Sequence, residues 1–202
     1  MSEPTAHQLF APHEPVTTTR ERIIAAAVDL FAEHGFHAVG LDRIIQTVGV
    51  TKTTFYNHFA SKDELAIAAI QTLERWETHS FMQLIESLSD GSPRSTILAC
   101  FDALDRWFTD IDYRRCLFTN ACIEFPNLHD PVHQAGAEHF ANIVTFFQEH
   151  AEAAHADDPE AVAHQLELLI AGAMTIRTAT GDPHAAARAR PLAEALLNQS
   201  LP

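Results

Sequence analysis

Between Gly49 and Leu65 the chain reads GVTKTTFYNHFASKDEL, a short span unusually dense in side chains that can donate or accept hydrogen bonds. Lys52, Thr53, Thr54, Tyr56, Asn57 and His58 are small or polar-tipped, whereas Val50, Phe55 and Phe59 are apolar and spaced to anchor a helix. No acid stands among them before Asp63. Such a face suits the edges of base pairs in a DNA major groove. Lys52 would donate to guanine O6 and N7, Thr53 would meet a thymine methyl or a polar edge, and Asn57, one turn on from Thr53, would pair with adenine. Phe55 and Phe59 belong to the core behind that face.

The elements that must position these residues are legible in the flanking pattern. Thr18 and Glu21 form a capping box ahead of an apolar stripe of Ile23, Ile24, Ala27, Leu30 and Phe31, and Gly35 ends that helix. Gly40 precedes a second short helix with Leu41, Ile44, Ile45 and Val48, stopped by Gly49. Two short helices joined at Gly49-Val50 predict a helix-turn-helix, whose second helix enters the groove. Ser61 and Glu64 form a further capping box, opening a long helix through Leu65, Ile70, Leu73, Trp76 and Leu84 to about Ser87. Capping residues followed by proline at Ser92-Pro93, Asp130-Pro131, Asp158-Pro159 and Asp182-Pro183 then mark helix starts. They divide the remainder into helices near 93–109, 113–125, 131–155, 159–180 and 184–199. The expected fold is all-α with about nine helices. It comprises a flexible arm over 1–16, a three-helix helix-turn-helix DNA-binding domain over 17–64, and a second helical domain over 65–202.

Length and composition agree with this reading. A chain of 202 residues with 47% hydrophobic and 20% charged residues can bury a good core. No signal-peptide pattern or membrane-length apolar run stands out, which predicts a cytoplasmic protein with no membrane partner. The net charge of −14 is unevenly placed: residues 17–64 carry five bases and six acids, so the acid is concentrated after Glu64. Binding to DNA would then depend on a small positioned surface rather than on general attraction.

Arg22-Ile23-Ile24, Ala26-Ala27, Leu30-Phe31, Gly35-Phe36, Asp42-Arg43-Ile44, Gly49-Val50, Phe55-Tyr56, His58-Phe59 and Ser61-Lys62 together resemble the DNA-binding domain of the TetR family of transcription regulators. The resemblance is specific over about residues 18–65. Cys116 to Asn120, with Glu124-Phe125-Pro126, resembles a segment common in one subgroup. Where many members carry a threonine pair before the second helix, this chain has Val39-Gly40. The resemblance implies that Thr54, Tyr56, His58 and Lys62 hold phosphates, helped by backbone amides near Thr18 and Thr19. It also implies that the distal domain binds a small molecule and forms a homodimer on a palindromic operator in double-stranded DNA.

Residues 93–155 are rich in bulky side chains, Trp107, Phe118 and Phe125 among them, and are interrupted by the polar Asn120, Glu124 and His133. Apolar cavities with a few polar groups are how small molecules are held, so these six are the candidate effector contacts. Stripes ending in Leu169, Gly172, Ala173 and Ile176, and in Leu192 and Leu196, suit close packing of helix pairs from two subunits. The expected function is a ligand-responsive repressor, released from its operator by a largely apolar small molecule.

Two alternatives have less behind them. Cys116 and Cys122, six residues apart, would lie on the order of 9 Å apart along one helix, too far for a disulfide, and with Cys100 they read as small core residues rather than as a redox sensor. An enzyme using Glu124, His129 and His133 lacks any nucleophile elbow, phosphate loop or HExxH spacing. His129 falls outside the helix that starts at Pro131, and no third ligand stands nearby, so neither a metal nor a cofactor is expected.

Overall fold

The computed structural model describes residues 15–110 and 113–201. The expected N-terminal arm lies outside them up to residue 14. Among the described residues there are nine α-helices and no strand: α1 Thr19–His34, α2 Leu41–Val48, α3 Lys52–Tyr56, α4 Lys62–Leu88, α5 Pro93–Thr109, α6 Leu117–Glu124, α7 Pro131–Ala153, α8 Pro159–Thr180 and α9 Ala185–Ser200. The all-α expectation holds, with the helix-turn-helix in its first three helices.

Local chemistry explains most of the boundaries. Both halves of the first capping box form: the Thr18 hydroxyl accepts the Glu21 amide at 3.2 Å, and the Glu21 carboxylate accepts the Thr18 amide at 2.8 Å. At α4 the Ser61 hydroxyl accepts the Glu64 amide at 3.0 Å, but the Glu64 carboxylate returns to Ala60 rather than Ser61, at 2.6 Å. Gly40 starts α2 without a side-chain cap, as its lack of a hydroxyl requires. Gly49 closes α2 in the left-handed region, φ 74° and ψ 35°, where a side chain would be strained.

Several boundaries differ from those expected. The helix expected over 113–125 begins only at Leu117, because the residue that caps it is Cys116, whose sulfur accepts the Thr119 amide at 3.4 Å. The last helix starts at Ala185, two residues beyond Pro183: Gly181 ends α8 in the left-handed region, and Asp182 accepts the His184 amide at 2.9 Å in the intervening turn. The groove-facing helix α3 is only five residues long, and Asn57 is its C-cap.

The chain divides into two compact units. One comprises residues 15–78 with 114–139, and the other 79–110 and 113 with 140–201. In the first, the core gathers Ile23, Ala27, Phe31, Phe36, Val39, Ile44, Phe55, Phe59, Leu65 and Phe118, all essentially inaccessible to solvent. In the second, α9 packs on α5 and α8, burying Ile97, Phe101, Leu104, Phe108, Leu166, Ala193 and Leu197.

Candidate nucleic-acid interface and the turn behind it

The extended Thr51, φ −86° and ψ 160°, caps α3 by accepting the Thr54 amide at 3.1 Å, and its hydroxyl also meets that of Thr54 at 2.8 Å. Phe55 is fully buried and Phe59 nearly so, their ring centroids 5.7 Å apart, and the Arg20 guanidinium lies 4.9 Å over the Phe59 ring. With those anchors inside, Lys52, Thr53, Tyr56 and Asn57 are exposed, and Thr54 and His58 are half-buried. The structure therefore brings the three candidate base readers, Lys52, Thr53 and Asn57, onto one short solvent-facing surface. The Asn57 amide donates to the Thr53 carbonyl at 3.0 Å, which sets those two residues one turn apart.

Neighbouring contacts fix that surface. The Arg22 guanidinium, on α1, donates to the Val48 carbonyl at 2.9 Å and so satisfies one of the open carbonyls at the end of α2. At the start of α1 the Thr17 and Thr18 amides both donate to the Glu21 carboxylate, which these bonds hold below the usual carboxylate range. An acid thus occupies the anion position there, next to Thr19. Lys62 is half-buried, and its ammonium donates to the Phe36 carbonyl at 2.9 Å and the Val39 carbonyl at 3.3 Å.

Those two carbonyls belong to the turn joining α1 to α2, and the same turn is gripped from α6. The Glu124 carboxylate accepts the Phe36 amide at 3.0 Å with one oxygen and the His37 amide at 2.7 Å with the other. The His37 ring donates in return to the Glu124 carbonyl at 2.9 Å. Gly35 makes this approach possible: its φ is +85°, and a Cβ there would come within 2.7 Å of a Glu124 oxygen. Phe125 packs edge-on against Phe36 with ring centroids 5.7 Å apart, and the His133 ring donates to the Phe125 carbonyl at 2.7 Å. Glu124, Phe125 and His133, expected as effector contacts, are thus joined to the turn ahead of α2. Asn120 is half-buried on the same helix, and Phe118 is fully buried. Trp107, 2% exposed, belongs to the other unit, where it packs against Phe81, Phe108 and Tyr113.

A second group in the same unit is not among the residues expected from sequence. Phe118 stacks flat on the His139 ring, centroids 3.8 Å apart, and His139 donates to Glu74 at 2.6 Å. Beside this pair lies Glu77, 8% exposed, whose carboxyl is pushed up to about 7, chiefly by burial. Its signal is faint in the sequence: Glu77 falls four residues after Leu73 and eight after Ala69, where the apolar stripe of α4 calls for another apolar side chain.

Burial also raises the thiols of all three cysteines, Cys116 to about 12, and no bond joins any two of them. No group of three or more potential metal ligands occurs among the described residues, and no described helix is long and apolar enough to cross a membrane.

Comparison with known proteins matches two consecutive stretches of the chain, the second of which includes residues from both compact units. Residues 23–69 match the family described as "Bacterial regulatory proteins, tetR family", and residues 93–193 match "Tetracyclin repressor-like, C-terminal domain". The HTH-type transcriptional activator FasR of Mycolicibacterium smegmatis is 29% identical over 116 residues, 56% of this chain and 52% of that protein. The HTH-type transcriptional regulator RutR of Escherichia coli is 39% identical over 62 residues, 30% of this chain and 29% of that protein. The chain thus spans about half the length of the first of these relatives and less than a third of the second. A solved TetR-type regulator of Streptomyces avermitilis superposes with a TM-score of 0.77 at 28% identity, covering 91% of this chain and 98% of that one. A TetR-family regulator of Streptomyces coelicolor superposes with a TM-score of 0.84 at 24% identity, covering 95% and 98%, a likeness of fold.

Proposed function

Because this chain belongs to the TetR family of bacterial regulatory proteins, which are DNA-binding transcription regulators and not enzymes, we propose that it is a cytoplasmic homodimeric repressor, released from a palindromic operator by a small molecule. The observation that carries the proposal is the outward face of α3, where Lys52, Thr53 and Asn57 stand together over the buried Phe55 and Phe59. Lys52 and Asn57 read bases. Thr54, Tyr56 and His58 position the phosphates, while the Thr17 and Thr18 amides are taken by Glu21 and Lys62 steadies the turn ahead of α2. The residues up to 64 serve as the reading domain, and those from 65 onward serve sensing and dimerisation.

One short helix covers only a half-site, so specific recognition needs a two-fold pair. Support for the pair lies on α8 and α9, where Leu168 is 68% exposed, Ile176 42% and Leu192 59%, with the exposed Gly172 between the first two. Three large apolar residues facing water on neighbouring helices fit a four-helix contact between two copies. Release by an effector requires only that it bind the two states of the protein with different affinity, and that difference limits its leverage. The contacts from Glu124 to Phe36 and His37 supply a route from α6 to the helix-turn-helix.

Selection of bound sequences from random DNA tests the reading. A palindrome with half-sites about one helical turn apart is expected. Recovery of no sequence preference would overturn it. The redox alternative has less support, because the buried thiols are held away from the reactive thiolate.

A further inference from the structure

His34 ends α1 with one ring nitrogen between two groups of opposite charge. Its Nε2 lies 2.7 Å from the Arg43 guanidinium of α2 and 3.4 Å from the carboxylate of its neighbour Glu33. No other contact to that nitrogen is found among the described residues. A guanidinium only donates, so the shorter contact requires a bare Nε2, with the proton of the neutral ring on Nδ1. Once Nε2 is protonated it can only donate in its turn: it repels Arg43 and pairs with Glu33 instead. One proton therefore exchanges one partner for the other, and imidazoles gain such a proton between about pH 5 and 8.

Most other charges around this corner are already engaged. Glu124, from α6, accepts the Phe36 and His37 amides, and the His37 ring donates to the Glu124 carbonyl. Lys62, from α4, donates to the Phe36 and Val39 carbonyls, and Arg114 pairs with Asp29 of α1. Asp42, beside Arg43 on α2, is exposed to water.

What Arg43 does on release follows from where it stands. It is exposed in the first turn of α2, while Ile44 and Val48 of that helix are buried. In a helix-turn-helix the first of the two helices crosses the phosphate backbone. Residues 17–64 carry five bases against six acids, so one guanidinium more or less is a large share of the positive charge available there. We propose that Arg43 is a further phosphate contact of the interface and that His34 controls it: the neutral ring keeps the guanidinium on the protein, and the protonated ring yields it to the DNA backbone. This goes beyond the reading of α3 and rests on the helix-turn-helix being the DNA-binding element. Because phosphates carry no sequence information, acid strengthens binding to any duplex through Arg43 and leaves base preference unchanged.

The test is fluorescence anisotropy on the full chain with a duplex of mixed sequence, about 30 base pairs long, over a series of salt concentrations. At about pH 8, above the range in which imidazoles gain protons, two substitutions are compared. His34→Gln supplies an oxygen that accepts from Arg43 and takes up no proton, whereas His34→Ala leaves the guanidinium free. The alanine variant is expected to bind at least about threefold tighter at low salt, with the slope of log K against log salt steeper by about one. Adding Arg43→Gln to His34→Ala removes both gains. A merely structural role for His34 would weaken binding in the alanine variant rather than strengthen it. In the parent chain the nitrogen chemical shifts of the His34 ring, assigned by their loss in His34→Gln, should report the Nδ1–H tautomer at about pH 8. An alanine variant that binds no tighter than the glutamine variant, a gain that persists without Arg43, or an Nε2–H tautomer overturns this proposal alone. Absence of binding to the mixed duplex and to any selected palindrome would overturn it together with the DNA-binding reading.

Discussion

Replacing Glu124 by glutamine tests whether the turn ahead of α2 is held from α6. The two carboxylate oxygens accept the Phe36 amide at 3.0 Å and the His37 amide at 2.7 Å. Glutamine offers one carbonyl oxygen and one amide NH2, so one backbone N–H keeps an acceptor and the other faces a donor. A hydrogen bond to a charged group contributes about 1.5–3 kcal/mol, and because His37 is exposed, water recovers part of the loss on that side. The expected destabilisation is about 2 kcal/mol for Glu124→Gln and about 3 kcal/mol for Glu124→Ala, which leaves both amides without an acceptor. In urea, with a slope of about 2 kcal/mol per molar, the glutamine variant's midpoint falls by about 1 M. Aspartate, one methylene shorter, cannot span both amides and should behave like glutamine. Operator affinity falls in step, since the 36–39 segment sets where α2 begins and α2 carries α3. A Glu124→Gln variant with an unchanged midpoint and unchanged operator affinity would refute the reasoning and show that the turn is held by its own backbone and Lys62.

The remaining expectations are independent of that contact. Lys52→Ala and Asn57→Ala should each weaken operator binding by about 1–3 kcal/mol while leaving thermal stability unchanged, as read by quantitative gel shift and calorimetry. Glu77, whose carboxyl is raised from 4.5 to about 7 on folding, contributes stability below about pH 4.5 that is lost as pH rises through 7. The loss reaches about 3 kcal/mol above that range, so Glu77→Gln should flatten the pH dependence of the urea midpoint between about pH 4.5 and 7. Leu168→Glu combined with Ile176→Glu should convert a dimer to a monomer in sedimentation equilibrium, and a double variant that stays dimeric would place the interface elsewhere. Changing Cys100, Cys116 and Cys122 to serine should leave operator binding insensitive to peroxide, as in the parent chain; a peroxide response abolished by the substitutions would restore the redox reading.

What was legible in the sequence was what repeats or caps. The Thr18–Glu21 box, the left-handed Gly49 and the Phe55–Phe59 anchor are local signals, each complete within five residues, and the structure forms them where the pattern places them. Boundaries slipped where a less usual group did the work: a cysteine sulfur caps α6, and Gly181 with Asp182 makes a turn that delays α9 past Pro183. Glu124 was visible as an odd polar residue in an apolar stretch, but its partners lie 87 and 88 residues away, a separation that no helical period encodes. Lys62 is similar: its charge suggests a phosphate, whereas its ammonium reaches carbonyls of the same turn that Glu124 holds. Glu77 interrupts the stripe of α4 by a single position, and one charge at a core position cannot be told from an edge residue until its neighbours are known.

The two carboxylates give α6 its place in the mechanism. Glu124, at the end of that helix, is satisfied by two amides and fixes the turn that leads to the reading helix. Phe118, near its start, stacks on His139, whose imidazole is tied to Glu74 beside the buried Glu77. The two residues are six positions apart, about 9 Å along a helix too short to bend between them. The ring stacked on His139 thus sits on the same short helix as the carboxylate that holds the turn. Every residue in that series belongs to the compact unit that also carries α3. The eight-residue α6 therefore joins the His139–Glu74 pair to the turn ahead of α2 within one compact unit.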